Sequence, residues 1–288
     1  MNLTGKTSVV GLFGDPVNHS LSPQMQNAAI SQLGLNAVYV PFHVTSARLS
    51  DAIQGIRAMG LSGVNLTIPH KESALLMVDE VDDSAKKIGA VNTIVNREGI
   101  LCGYNTDGIG LIKALKQDLG LSLKGNRVLV IGAGGACRAA LCALAEAGAA
   151  WIGVANRTRQ RAAQLAEMMA ENFSGTTFAH YLYGTALSGD MPHPIDLLIN
   201  TTPIGLNDQS FDLDLKAIME SKGAVYDMVY GPRPTPLVCL AHQHNLAAAD
   251  GLGMLIGQGE AAFKLWFGID PPQGIMRRAL VEAMKSLP

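Results

Sequence analysis

Three short runs in this 288-residue chain hold residues whose types and spacing could do chemistry. The first is "VNLTIPHK", residues 64 to 71. Val64, Leu66 and Ile68 alternate with Asn65 and Thr67, the period of two that marks a strand with one buried face. Pro69 ends the strand, because it has no N–H for the ladder. Lys71 therefore stands just past a strand end, where ligands bind in open α/β sheets. An ammonium on a flexible stem can neutralise charge developing on an oxygen and hand it a proton. The residues alone leave a solvated loop lysine equally open.

The second run, "VLVIGAGGA", sets Gly132, Ala133, Gly134, Gly135 and Ala136 between a buried strand and an alanine-rich helix. Gly132 allows a tight turn, and Gly134 lets backbone N–H groups approach a pyrophosphate at the helix N-terminus. Cys137 stands where GxGxxG has its third glycine, so the fingerprint is imperfect. The third run, "ANRTRQR", lies where many NAD sites carry an acidic residue for the ribose 2′-hydroxyl. It has no carboxylate, and Arg157, Arg159 and Arg161 alternate along it. Guanidinium forks match a 2′-phosphate, which a carboxylate would repel. The run predicts NADP as cofactor, with Arg157 and Arg161 on the phosphate and Asn156 and Thr158 donating hydrogen bonds. Arg159 falls on another face of the turn and is assigned no contact.

Alternating strands and helices must position these runs, which points to an α/β protein. Ser8 to Leu12 reads as a strand. "SLSPQMQNAAISQLG" reads as a helix with Ser22 as N-cap, Pro23 at the first helical position and Gly34 past its end. "AVYVPFHV" is a second strand with Val38, Val40, Phe42 and Val44 on one face, followed by a helix carrying Leu49, Ile53 and Ile56 at helical spacing. "VNLT" is a third strand, and "VNTIV", "NREG" and "ILCGYNT" form a hairpin. Near residue 107 the texture changes to a βαβ rhythm, with "WIGVANRT", "IDLLINTT" and "GAVYDMVY" as further strands. The last forty residues read as helices without a strand of their own. The expected architecture has two domains, the first made of residues 1–107 plus 250–288 and the second a Rossmann-type domain of residues 108–249. The C-terminal helices are expected to pack back on the first domain.

Composition narrows the partners. Charged residues are 16% of the chain and the net charge is −2, with no basic run, so no nucleic-acid partner is expected. The segment from Pro16 to Ala47 lacks Asp, Glu, Lys and Arg but is rich in Asn, Gln, Ser and His, which excludes a membrane span there. The first residues lack the pattern of a signal peptide. Cys102, Cys137, Cys142 and Cys239 are scattered without a CxxC pair, and His242 with His244 is too thin a cluster for a metal. Free thiols in a cytoplasmic protein without a metal are the expectation, and a homodimer is one assembly the sequence allows.

With these pieces in place, the chain resembles the shikimate dehydrogenase family essentially end to end. The motifs that carry the resemblance are "SLSP", "NLTIPHK", "AVNTIV", "GYNTDG", "GAGGA", "NRT", "NTTPIG" and "DGLGMLIGQ", in the family's order. The family's own turn also lacks the third glycine. The resemblance implies a substrate-binding and catalytic domain closing over a Rossmann domain, with NADPH-dependent reduction of 3-dehydroshikimate to shikimate in aromatic amino-acid biosynthesis. It places Lys71 and Asp107 on the catalytic pair, Asp107 orienting the ammonium. It puts Ser20 and Ser22 on the substrate carboxylate, and Asn65, Thr67, Asn92 and Gln258 on the ring hydroxyls. A polyol site must pair each hydroxyl, and neutral amides both donate and accept. Tyr230 enters as a substrate-side phenol, with a core tyrosine equally open, and Thr202, Met228 and Gly251 as contacts near the nicotinamide. Two other readings stay open: a paralogue that also oxidises quinate or another polyol acid with NAD or NADP, and a non-catalytic NADP-binding redox sensor. Retention of both Lys71 and Asp107 argues against the sensor, which has no use for a proton-transfer pair.

Overall fold

The computed structural model describes residues 3–184, 187 and 191–285. Its elements run β1 (Ser8–Gly14), α1 (Ser22–Gln32), β2 (Ala37–His43), α2 (Leu49–Ala58), β3 (Gly63–Leu66), β4 (Glu80–Val81), α3 (Asp83–Ile88), β5 (Thr93–Arg97) and β6 (Ile100–Tyr104). They continue with α4 (Asp107–Leu119), β7 (Arg127–Ile131), α5 (Gly135–Glu146), β8 (Trp151–Asn156), α6 (Arg159–Asn172), β9 (Thr177–Leu182), β10 (Ile195–Asn200) and α7 (Leu215–Ile218). The chain closes with β11 (Met219–Asp227), α8 (Pro236–Gln243), β12 (Ala247–Ala249), α9 (Leu252–Phe267) and α10 (Ile275–Lys285). Two compact units result: Met1–Thr106 with Ile256–Pro288, and Asp107–Leu255.

The first unit is built on a mixed sheet in the order β2-β1-β3-β5-β6-β4. β1 pairs parallel with β2 and β3, while β5 runs antiparallel to β3 and β6. Glu98 and Gly99 both have positive φ, the backbone a two-residue hairpin turn needs to match strand twist. All four residues of β3 are buried, because a central strand is covered on both faces. The one-faced reading of this run therefore fails at Ile68, which lies beyond the strand and is 74% exposed. In β2 the buried positions are Ala37 and Tyr39, while Val38, Val40 and Phe42 on the other face are only half-buried. Val64, Leu66, Ile94 and Leu101 form the core on one side with Ile53 and Ile56 of α2. The C-terminal helices return to this unit: α10 packs on α1, and Gln26 Nε2 of α1 donates to the Gly259 carbonyl of α9 at 2.9 Å.

The second unit is a six-stranded parallel sheet in the order β12-β11-β10-β7-β8-β9. Counted along the chain this is 3-2-1-4-5-6 from the β9 edge, the Rossmann order, whose switch point lies between β7 and β10. Val128, Leu129, Val130, Leu197, Leu198 and Ile199 are fully buried, as strands covered on both faces require. β9 and β12, which the sequence reading did not mark, form the two edges.

Candidate active site

In the first unit, buried polar side chains converge beyond the ends of β3 and β5. The Tyr39 hydroxyl donates to Asn65 Oδ1 at 2.9 Å. Asn65 Nδ2 donates to Thr93 Oγ1 at 3.0 Å and to the Asn92 carbonyl at 3.2 Å. Thr93 Oγ1 donates to Asn92 Oδ1 at 2.9 Å, and the Thr106 amide donates to the same oxygen at 2.8 Å. Both Asn65 hydrogens are thus engaged, so Asn65 can offer a ligand only the second lone pair of Oδ1. Asn92 Oδ1 already accepts three hydrogen bonds, from Thr93 Oγ1 and from the amide and hydroxyl of Thr106, the last two fixing the residue before Asp107. Tyr39, Thr93 and Thr106 were not singled out from the sequence, although a tyrosine at the period-two spacing of β2 was a usable signal.

Ser22 departs from its expected place. The N-cap of α1 is Leu21, Ser22 opens the first turn, and no side chain caps the helix. The Ser22 amide donates to Ser20 Oγ at 3.2 Å. Thr67 is half-buried past β3. Lys71 follows, partly buried, with its carbonyl accepting from the Val91 amide at 2.8 Å. Gln258 lies on α9 beside Gly259, where a Cβ would collide with the Met25 side chain, so a glycine lets α9 approach α1.

In the second unit, Asp107 is buried at the start of α4. Gly132 follows β7 at φ +118, and a Cβ there would run into Thr201 Oγ1 and Thr202. Only glycine suits both the backbone and the close approach. A cavity of about 220 Å³ opens at this turn, lined by Gly132, Ala133, Gly134, Asn156, Arg157, Arg161, Tyr183, Thr202 and neighbouring backbone. Gly134 is the N-cap of α5, so Gly135 and Ala136 present the first helical amides. Among the described residues no Asp or Glu lines this cavity, and Arg159 is not in its wall. Thr158 lies outside the lining too, its carbonyl accepting from Asn156 Nδ2 at 3.0 Å. These residues fit a phosphorylated dinucleotide: a glycine turn on a helix start, two guanidinium groups and no competing carboxylate.

A buried carboxylate organises the loops around that turn. Asp227 accepts from Asn200 Nδ2 at 2.7 Å, the Val229 amide at 3.1 Å and Thr235 Oγ1 at 2.6 Å. Burial pushes its carboxyl above the usual carboxylate range, against the pull of those three donors. Asn200 Oδ1 in turn accepts from the Thr202 amide and hydroxyl at 3.0 and 2.7 Å. Met228 donates to the Asn200 carbonyl at 2.9 Å, and Gly251 donates to Val229 at 3.1 Å. A Cβ on Gly251 would overlap the Met228 carbonyl, so this position also needs glycine. Tyr230 is half-buried, and burial raises its phenol. Among the described residues, no group of three or more His, Cys, Asp or Glu could hold a metal, and no helix is long and apolar enough to cross a membrane.

A parallel Rossmann sheet with an arginine-lined cavity in one unit, and buried amides and hydroxyls in the other, define a two-unit dinucleotide-fold protein. Family models match its parts: the shikimate dehydrogenase substrate binding domain over residues 12–94, shikimate / quinate 5-dehydrogenase over 113–182, and the shikimate 5′-dehydrogenase C-terminal domain over 251–281. The shikimate dehydrogenase (NADP(+)) of Geobacter metallireducens is 46% identical over 99% of this chain and all of its own. The Thermus thermophilus shikimate 5-dehydrogenase, solved with NADP(H) and shikimate, is 39% identical, with a TM-score of 0.84 over 96% of this chain and 100% of its own. The 5-ketofructose reductase of a Gluconobacter strain is similar too, at 33% identity and a TM-score of 0.89 over 97% of this chain and 100% of its own. The chain belongs to the shikimate dehydrogenase family.

Proposed function

We propose that this chain is an NADP-dependent shikimate dehydrogenase, interconverting 3-dehydroshikimate and shikimate. The observation that carries the proposal is the carboxylate-free cavity at the β7–α5 turn, with Arg157 and Arg161 in its wall, in a chain that matches such enzymes end to end. The Asp107–Leu255 unit takes the dinucleotide, and the unit of Met1–Thr106 with Ile256–Pro288 takes the substrate. Gly132, Ala133, Gly134, Gly135 and Ala136 receive the pyrophosphate on backbone N–H groups. Arg157 and Arg161 receive the 2′-phosphate, with Asn156 and Thr158 beside it, and Thr202, Met228 and Gly251 frame the nicotinamide end. Bound NADP(H) supplies or accepts the hydride.

The chain's own groups do the rest. Lys71 holds a proton at the ketone oxygen and gives it up as charge develops there, and Asp107 orients the ammonium. Ser20 and Ser22, at an α1 start that no side chain caps, hold the substrate carboxylate. Asn65, Thr67, Asn92 and Gln258 meet the ring hydroxyls, Asn65 as an acceptor, and Tyr230 is a substrate-side phenol. Four unpaired cysteines suit a reducing compartment, and the cytoplasm is the proposed location. The test is absorbance of NADPH formed from shikimate and NADP by the purified protein; no turnover would remove the proposal.

A second reading is a broader polyol dehydrogenase. The shikimate / quinate model over residues 113–182 and the likeness to 5-ketofructose reductase favour it. Turnover of quinate or ketofructose at rates near that of shikimate would select it.

A further inference from the structure

We propose that Tyr39 is a positioning residue of the substrate site, orienting the amide that reads a ring hydroxyl. The inference rests on the function proposed above and deepens it. Tyr39 comes from β2, one strand removed from β3, and is 2% exposed. Its ring packs against Trp266 of α9, with centroids 5.9 Å apart, so the phenol has little freedom to move.

The hydrogen bonds through Tyr39 all run one way. The Tyr39 phenol donates to Asn65 Oδ1. Asn65 Nδ2 donates to Thr93 Oγ1, and Thr93 Oγ1 donates to Asn92 Oδ1. Each donor in such a chain polarises the next, and a single orientation satisfies all members. Tyr39 therefore takes one lone pair of Asn65 Oδ1, so the amide presents one remaining acceptor and no hydrogen to a ligand. A hydroxyl hydrogen satisfies that acceptor; a carbonyl or ether oxygen at the same place does not. The apolar neighbour Trp266 and the donor chain explain why a tyrosine, and not a phenylalanine, stands at this buried strand position.

Tyr39→Phe keeps the ring and its packing while removing only the hydroxyl. Loss of one buried hydrogen bond that orients a binding group predicts a rise of about tenfold in the shikimate Kd, by titration without cofactor, and in KM. The values of kcat and of KM for NADP should stay within about twofold, because the hydroxyl touches neither. In an Asn65→Ala background, Tyr39→Phe should add less than about threefold to Kd, since the two act through one chain. A shikimate Kd unchanged by Tyr39→Phe would overturn the proposal. So would losses in kcat and both KM values that track a fallen Tm, or full additivity with Asn65→Ala. If the unmutated protein binds shikimate but never turns it over, the proposed function fails, while the Kd comparison still decides the role of Tyr39.

Discussion

Lys71 stands two residues beyond the proline that follows "NLTI", with its carbonyl tied to the Val91 amide at 2.8 Å, so the backbone that carries the ammonium is anchored to the hairpin strand region. An anchored stem suits a group that acts on charge developing in the transition state, and such interactions appear in kcat. Lys71→Ala should therefore lower kcat by ~10²–10⁴-fold while the shikimate KM moves only a few-fold. Steady-state kinetics check it; a variant that keeps a third of the wild-type kcat ends the assignment. At this scale the sequence made residue types legible but not how their hydrogen-bonding capacity is used. "SLSP" and "NLT" identified Ser22 and Asn65, yet Ser22 was expected to cap α1 and Asn65 to both donate and accept. Ser22 instead lies inside the first turn, and the Asn65 outcome depends on Tyr39, 26 positions away in sequence. Pattern within a single element cannot show a hydrogen bond that arrives from another strand.

The elements themselves were legible where one physical signal dominated. Glycine and proline punctuation found α1 and the β5–β6 hairpin, and the unbroken apolar run of β7 with its glycine turn found the start of the Rossmann unit. Edge strands β9 and β12 escaped, since "TFAHYL" and "AAA" lack the buried apolar run of a central strand. Two predictions belong here. The uncapped start of α1, with Ser20 and Ser22, should prefer an anion, so a shikimate analogue with a carboxamide in place of the carboxylate should bind at least tenfold worse, each charge-assisted bond being worth ~1.5–3 kcal/mol. Equal affinities would place the carboxylate elsewhere. The junction of β8 and α6 sets cofactor choice: Arg157 and Arg161 share the cavity wall, and both are exposed. Exposure weakens each ion pair, but guanidinium–phosphate forks should still give NADP about a hundredfold advantage over NAD in kcat/KM. Arg157→Asp should erase most of that advantage, and added salt should shrink it in the wild type. Indifference between NAD and NADP at low salt would contradict this and favour the broader polyol reading.

Across the whole molecule, two carboxylates make opposite demands on pH, one in each unit. Asp227 in the second unit is completely buried, and burial raises its pKa despite the donors from Asn200, Val229 and Thr235. Its folded pKa lies above its unfolded one, so the folded state holds the proton longer. The stability this group contributes is full below about pH 3.9, the unfolded value, and is lost as pH rises through the folded pKa. Asp79 in the first unit behaves oppositely. The Leu101 amide, at 2.7 Å, and the Arg57 guanidinium, at 2.6 Å, hold its pKa below the ordinary range. Its contribution is present above about pH 3.9 and fades as pH falls through the lower folded value. Subtracting the wild type cancels every group left unchanged. The Tm of Asp227→Asn minus that of wild type should climb as pH rises above about 3.9 and level off past the raised folded value, because the variant no longer buries a charge. The same difference for Asp79→Asn should drop as pH rises through the lowered folded value towards about 3.9 and stay level above it, because the variant loses a charge-assisted anchor. Differential scanning calorimetry reads both, and it adds a second test. Where two transitions resolve, the Asp227 substitution should move one and the Asp79 substitution the other, since each carboxylate belongs to a different compact unit. Trends of the same sign in the two variants would mean that hydrogen bonding, and not burial, governs the Asp227 carboxylate.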